Sequence, residues 1–186
     1  MKYLLRHKYV YLFIIVFSII GFITGFFYYQ TQPNDIKNDI KESINIEEDL
    51  QKGTNNISKR LKEIFIIFLS SILIITIINN YLKIFIEPFQ IGFIFSFLTT
   101  YGLKFSLIYT IIYYIIPLLF ILILIRISTT ISLNIIKLIY KKDYKSKRQL
   151  IIILKKYLLI SLFLIIYEFF LSIFSTNING YLMTII

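Results

Sequence analysis

The amino-acid sequence predicts an all-α membrane protein, a polytopic bundle of about five transmembrane helices in the cell membrane. The first observation is composition: 58% of the 186 residues are hydrophobic, whereas soluble domains have about 45–50% apolar residues. The second is that apolar residues form long runs, comparable with the roughly 20 residues that a spanning helix needs. The third is that lysine and arginine concentrate in alternate connecting segments. We therefore expect residues 1–186 to form a single membrane domain.

Five segments satisfy or approach the spanning length. The first carries no charge and ends on aromatic residues, Phe26 to Tyr29, which make a poor signal-peptide cleavage site, so we expect it to be retained. The fourth contains Pro117, which predicts a kink. The predicted spans cover residues 9–29, 62–80, 91–103, 105–125 and 157–174.

The third predicted span is preceded by a break at Glu87 and Pro88. Proline lacks a backbone N–H and disfavours the helical conformation at the residue before it. The sequence therefore predicts that residues 82–90 form an interfacial or re-entrant segment. Glu87 is then either solvated or a cap of the following span, where a carboxylate offsets the exposed N–H groups.

Basic residues predict the orientation of the chain. The N-terminal segment, Lys83 and residues 126–156 together hold thirteen of the 20 lysines and arginines. The other side holds seven, together with seven acidic residues between Asp35 and Glu63. Because basic residues favour the cytoplasmic side, the N-terminus is predicted to be cytoplasmic and the C-terminus external.

The external segment, residues 30–61, is predicted to be a short helical hairpin. Ile36, Ile40 and Ile44 recur every four residues, which indicates one apolar stripe of a helix, and residues 52–56 are typical of a turn. Two interpretations are equally favoured: a simple connection between spans, and a docking surface for an external partner.

The cytoplasmic loop, residues 126–156, is strongly basic and also carries apolar residues. We expect it to lie near the membrane surface, with its lysines close to anionic head groups. Nucleic-acid binding is rejected, because basic loops beside a span are expected from topology alone and nothing nearby predicts base stacking.

Glu168 is an acidic residue within the fifth predicted span. An unpaired charge at that depth costs several kcal/mol, so the residue should face a partner or a cavity. It could belong to an ion or proton pathway, or it could fix helix packing through a hydrogen bond. Both uses occur in membrane proteins, and we favour the packing role.

Two pairs of small residues predict close contacts between helices. Gly21 and Gly25 form a GxxxG motif, and Gly92 and Ser96 form a looser version with the same spacing. Such spacing lets two helix backbones approach closely, either within one chain or between copies in a homo-oligomer. In a chain without alanine, these residues carry much of that role.

No catalytic or cofactor-binding pattern is visible in the sequence. There is no cysteine and one histidine, His7, and the six glycines are scattered rather than gathered in a phosphate-binding loop. An enzymatic role would depend on Glu87 and Glu168 alone. We therefore expect no enzyme activity, no cofactor and no metal site.

The order of features resembles the stage II sporulation protein M family of bacterial integral membrane proteins, in its shorter form. The resemblance is carried by residues 20–26, residues 91–97, the corner from Tyr101 to Lys104, Pro117 and Glu168. The chain lacks the second glycine that the family has near Ser96. The resemblance implies a scaffold without catalysis of its own, which works with stage II sporulation proteins D and P, two enzymes that remodel peptidoglycan during engulfment.

A transport component, such as a permease subunit, is the alternative function. It is motivated by the predicted break at Glu87 and Pro88 and by Glu168 within a span, since interrupted helices and buried acids mark substrate paths in transporters. Transport predicts a polar cavity near the middle of the membrane.

Overall fold

The computed structural model describes residues 2–43, 57–72, 77–141 and 144–184, and every regular element among them is helical. The predicted all-α class is therefore confirmed. A 3₁₀ turn, Thr99–Tyr101, follows the helix that ends at Leu98. A π-helical turn, Ile111–Ile115, joins the helix that ends at Thr110 to the helix that begins at Ile116 without a break. The helices are α1 Lys2–Gln30, α2 Asn34–Ser43, α3 Ile57–Ile72, α4 Ile77–Leu98, α5 Leu103–Thr110, α6 Ile116–Lys141 and α7 Tyr144–Met183.

Four helical segments of the described residues are long and apolar enough to cross a membrane: Leu12–Gln30, Asn80–Tyr101, Leu103–Tyr140 and Lys147–Leu182. Their large apolar side chains are widely exposed, and Leu158 on α7 is 66% exposed. Water is a poor solvent for an apolar surface of this extent, so the helices are suited to a lipid bilayer.

The count of four differs from the five spans predicted. The predicted second span, 62–80, includes residues 73–76, which lie outside the described residues, as does the predicted turn at 52–56. Within this region the structure has α3, which is 16 residues long.

The helices form two compact units. The first unit comprises Met1–Lys52, Leu82–Leu118 and Asn177–Ile186. The second unit comprises Gly53–Tyr81 and Leu119–Thr176. The sequence gives no boundary between them, because α6 and α7 each contribute residues to both units.

The first unit is built on α1 and α4, which run parallel. The Ser18 hydroxyl donates to the Ile84 carbonyl oxygen at 3.3 Å, and the Gln30 amide donates to the Ser96 hydroxyl at 2.9 Å. Both pairs are separated by 66 residues in the sequence, so the two helices keep one register over about three turns. Aromatic rings of α1 pack on those of α4 along the same line, as between Phe22 and Phe95.

Helix α4 continues through Pro88, so the predicted break there is wrong. A proline inside a helix leaves the carbonyl of the residue four positions earlier without its usual N–H donor, which here is Ile84. The Ser18 hydroxyl of α1 donates to that same carbonyl. Because a neighbouring helix satisfies the freed group, proline is tolerated in the interior of this span.

The second unit contains α3, α6 and most of α7. Ser128 donates to the Ile67 carbonyl at 3.0 Å, and Ser132 donates to the Ser71 carbonyl at 2.6 Å. The sequence separation is 61 residues in both pairs, so α3 and α6 run parallel. Helix α7 runs the opposite way to α3, because Arg60 contacts Glu168 whereas Ile64, later in α3, contacts Tyr157, earlier in α7.

The predicted basic loop, residues 126–156, is helical wherever it is described. The helical segment Leu103–Tyr140 has 38 residues, which at 1.5 Å each is about 57 Å, roughly twice the hydrocarbon thickness. Helix α7 has 40 residues and a similar excess length. Charged residues lower the local hydropathy without disfavouring a helix, so these helices extend beyond the predicted spans 105–125 and 157–174.

Candidate functional site

The second unit contains a buried ion-pair cluster of Arg60, Glu63 and Glu168. Arg60 Nε lies 2.8 Å from Glu168 Oε1, and Arg60 Nη1 lies 2.7 Å from Glu63 Oε2. The Glu168 side chain is only 3% exposed, and the other two are 14% exposed. The guanidinium therefore joins a carboxylate of its own helix, α3, to a carboxylate of α7.

The sequence of α7 explains why Glu168 points toward protein rather than lipid. The buried residues recur at intervals of three and four, which is the spacing of a single helix face. Among them are serines and a tyrosine, whereas most of the residues between them are exposed leucine, isoleucine and phenylalanine. The buried face comprises Tyr157, Ser161, Leu164, Glu168, Leu171 and Ser175.

The two neighbouring carboxylates favour the charged form of the Arg60 guanidinium. Burial alone would lower the pKa of the Arg60 guanidinium, but hydrogen bonds and charges from Glu63 and Glu168 raise that pKa above its ordinary value. The guanidinium therefore stays positive and can offset the cost of burying the Glu168 carboxylate. Removing Arg60 would leave the Glu168 carboxylate as an uncompensated buried charge, which is strongly destabilising. Removing Glu168 would leave Arg60 paired with Glu63 alone.

A second contact fixes α7 on α3 one turn further along α3. The Tyr157 hydroxyl donates to the Ile64 carbonyl oxygen at 2.7 Å, and its ring lies 5.6 Å from that of Phe68. Tyr157 is 2% exposed. A helix carbonyl can accept this bond in addition to its backbone bond, because its oxygen has two lone pairs.

A network of hydroxyl and amide groups lies elsewhere in the second unit. The Asn80 amide donates to the Ser70 hydroxyl at 2.7 Å and to the Ser128 hydroxyl at 3.2 Å. Its carbonyl oxygen is buried and has no hydrogen-bond partner among the described residues. Both serine hydroxyls donate to the Ile67 carbonyl, so the network ties α3 and α6 to Asn80.

Glu87 belongs to the first unit and is half-buried, with its carboxylate 3.9 Å from the Lys83 ammonium one turn earlier. Because α4 begins at Ile77, Glu87 lies inside the helix and does not cap it. The predicted capping role is therefore wrong. Glu87 and Glu168 have separate basic partners, Lys83 and Arg60, in separate units.

The small residues singled out in the sequence all lie between α1 and α4. A side chain added at Gly21 would come within 2.6 Å of the Phe85 carbonyl oxygen. One at Gly25 would collide with the Phe89 backbone, and one at Gly92 with the Phe22 backbone. Ser96 is fully buried and accepts the hydrogen bond from Gln30. This face is thus occupied within the chain, by α1 and α4 themselves.

The sequence does not identify Arg60 as the partner of Glu168 and indicates it only as one basic residue of the external side. The pair is 108 residues apart, so no local pattern joins them. Two signals were available: the spacing of Arg60 and Glu63 on one helix face, and the regular recurrence of small and polar residues around Glu168. In an apolar helix, such recurrence marks the side that faces protein.

No group of three or more histidine, aspartate and glutamate side chains that could hold a metal ion occurs within the described ranges. Compared with known proteins, the chain matches no family model, no curated protein and no solved structure.

Proposed function

We propose that the chain is a non-catalytic membrane scaffold that organises peptidoglycan-remodelling enzymes, in the manner implied by its resemblance to the stage II sporulation protein M family. The observation that carries the proposal is the use of Glu168. This carboxylate joins α7 to α3 through Arg60 at 2.8 Å, which is a role in helix packing. A scaffold needs a fixed arrangement of helices more than it needs a reactive group.

The close packing of α1 on α4 supports the same role. Three glycines bring the two backbones together, and hydrogen bonds at Ser18 and Gln30 hold one register. Such a pair has little freedom to slide, as a rigid platform for partners requires. The partners that the resemblance implies, stage II sporulation proteins D and P, would be reached on the predicted external side.

Copurification tests this proposal. The full-length tagged chain is solubilised from its native membrane in mild detergent, with an unrelated tagged polytopic protein of the same membrane as control. We expect a peptidoglycan hydrolase or another sporulation membrane protein to be enriched over that control by mass spectrometry. Repeated recovery of folded chain with neither class enriched would overturn the proposal.

A transport component remains the second candidate, favoured by the buried Asn80 carbonyl oxygen and the serines around it. The helix break that first motivated transport is absent from α4. Uptake measurements on Glu168→Gln separate the two functions. Transport through Glu168 predicts that the folded Glu168→Gln protein no longer supports uptake. The scaffold proposal predicts that the amount of partner recovered with Glu168→Gln is proportional to the amount of that variant that folds.

A further inference from the structure

An open cleft of about 400 Å³ lies beside α2 in the first unit. Its lining side chains are Tyr29, Asn34, Lys37, Asn38, Lys41 and Thr100. Four of these belong to α2 at positions 34, 37, 38 and 41, a spacing that places them on one face of the helix. The face therefore presents two ammonium groups and two amides to a single cavity.

Helix α2 carries Ile36 on another face, where it is 43% exposed. Its lysine and asparagine face lies toward Tyr29, at the end of α1, and Thr100, just beyond α4. The carboxylates Asp35 and Asp39 fall outside the set of residues that line the cleft.

Both lysines are held in place by neighbouring groups. The Lys37 ammonium donates to the Gln30 carbonyl at 2.8 Å and lies 5.7 Å from the centre of the Tyr29 ring. The Lys41 ammonium lies 5.7 Å from the centre of the Tyr101 ring. Within the described ranges neither ammonium forms an ion pair with a carboxylate.

The donors of the cleft match a phosphate group. An ammonium has three N–H groups, so the bond from Lys37 to Gln30 leaves two that can reach a ligand. Lysine binds phosphate as a point charge, and the amides of Asn34 and Asn38 can add neutral donors. The Thr100 hydroxyl already donates to the Phe97 carbonyl at 2.7 Å. The positive charge of the cleft comes from Lys37 and Lys41 of α2.

We infer that this cleft binds a phosphate-type anion between Lys37 and Lys41. The cleft lies where the segments Leu12–Gln30 and Asn80–Tyr101 end, which for spanning helices is the depth of lipid head groups. The phosphate can therefore come from an anionic phospholipid or from solution. This binding site is independent of the scaffold proposal.

Binding measurements on the purified full-length chain test the site with two probes. The first is inorganic phosphate titrated into detergent-solubilised protein. The second is phosphatidylglycerol, compared with phosphatidylcholine, in nanodiscs or by native mass spectrometry. Phosphate binding in detergent identifies a site for a free anion, whereas binding of phosphatidylglycerol alone identifies a head-group site. Both results support the inference.

Lys37→Gln combined with Lys41→Gln is the informative variant. Loss of two charged donors should weaken the binding of the effective probe by at least about tenfold. The matched control is Lys59→Gln combined with Lys104→Gln, which removes two exposed charges of the predicted external side and should change binding by less than about twofold, as expected where no direct contact is lost.

Asn38→Asp provides a second variant in case the lysine substitutions alter the fold. It places a negative charge in the cleft, so it should weaken binding of the anion by repulsion while leaving the helix content measured by circular dichroism unchanged. The inference would be overturned if the Lys37→Gln, Lys41→Gln double variant and Asn38→Asp both bound the probe as tightly as the wild type. It would also be overturned if the wild type bound neither probe.

Discussion

The two units hold their helices together with different chemistry. In the first unit, glycines let the backbones of α1 and α4 approach, and aromatic rings fill the surrounding space. In the second unit, the ion pairs of Arg60 and the serine hydroxyls join α3 to α6 and α7. Lipid provides no hydrophobic driving force between helices, so association depends on packing and on interhelical hydrogen bonds. Each unit makes greater use of one of these two means.

The difference explains which contacts could be predicted. Close packing leaves a local pattern, since GxxxG is visible within five residues. Interhelical hydrogen bonds leave no such pattern, because donor and acceptor are chosen by the fold. The two means should also respond differently to substitution, since loss of an ion partner leaves a buried charge whereas an added methyl group creates a steric clash.

The largest effect is expected from Arg60→Gln in the second unit. This change leaves Glu168 buried without its positive partner and should lower the free energy of unfolding by about 3–5 kcal/mol. Denaturation of the purified chain in mixed micelles measures it. Lys59→Gln is the control, because Lys59 is exposed on the same helix, and an equal loss for both variants would contradict the account.

An intermediate effect is expected from Gly25→Ala in the first unit. The new methyl group would collide with the Phe89 backbone, and overpacking of this kind costs about 1–3 kcal/mol. Gly180→Ala is the matched control, because its added methyl group meets nothing within 4 Å. That control should leave the melting temperature unchanged or raise it, since alanine favours a helix over glycine. Equal melting temperatures for the two variants would show that α1 and α4 are not closely packed.

The smallest effect is expected from Ser18→Ala, which removes the donor to the Ile84 carbonyl. Hydrogen bonds between helices in membranes contribute about 0.6 kcal/mol on average. Pro88→Ala restores a backbone N–H for the same carbonyl, so Ser18→Ala should cost less in that background. Thr24→Val serves as control, because the Thr24 hydroxyl bonds only carbonyls of its own helix. The same cost of Ser18→Ala with and without Pro88 would contradict this explanation of the continuous helix.

Particular residues show how far the sequence could lead. The all-α class follows from long apolar runs, and the spacing of Gly21 and Gly25 predicted a close-packed face at the place where α4 lies. The continuity of α4 could not be predicted, because Ser18, which bonds the carbonyl freed by Pro88, lies 66 residues from that carbonyl. The partnership of Arg60 with Glu168 could not be predicted for the same reason. The full length of α6 and α7 could not be predicted because charged residues occur in loops and on exposed helix faces alike.

The most direct test of the packing role of Glu168 is a double-mutant cycle with Arg60→Gln, Glu168→Gln and the two combined. The free energy of unfolding is measured for all four proteins in the same micelles. We predict that the double variant is at least as stable as the less stable of the two single variants. The coupling free energy between Arg60 and Glu168 is then about 1–3 kcal/mol. Additive losses, or a Glu168→Gln protein as stable as the wild type, would contradict a packing role for Glu168.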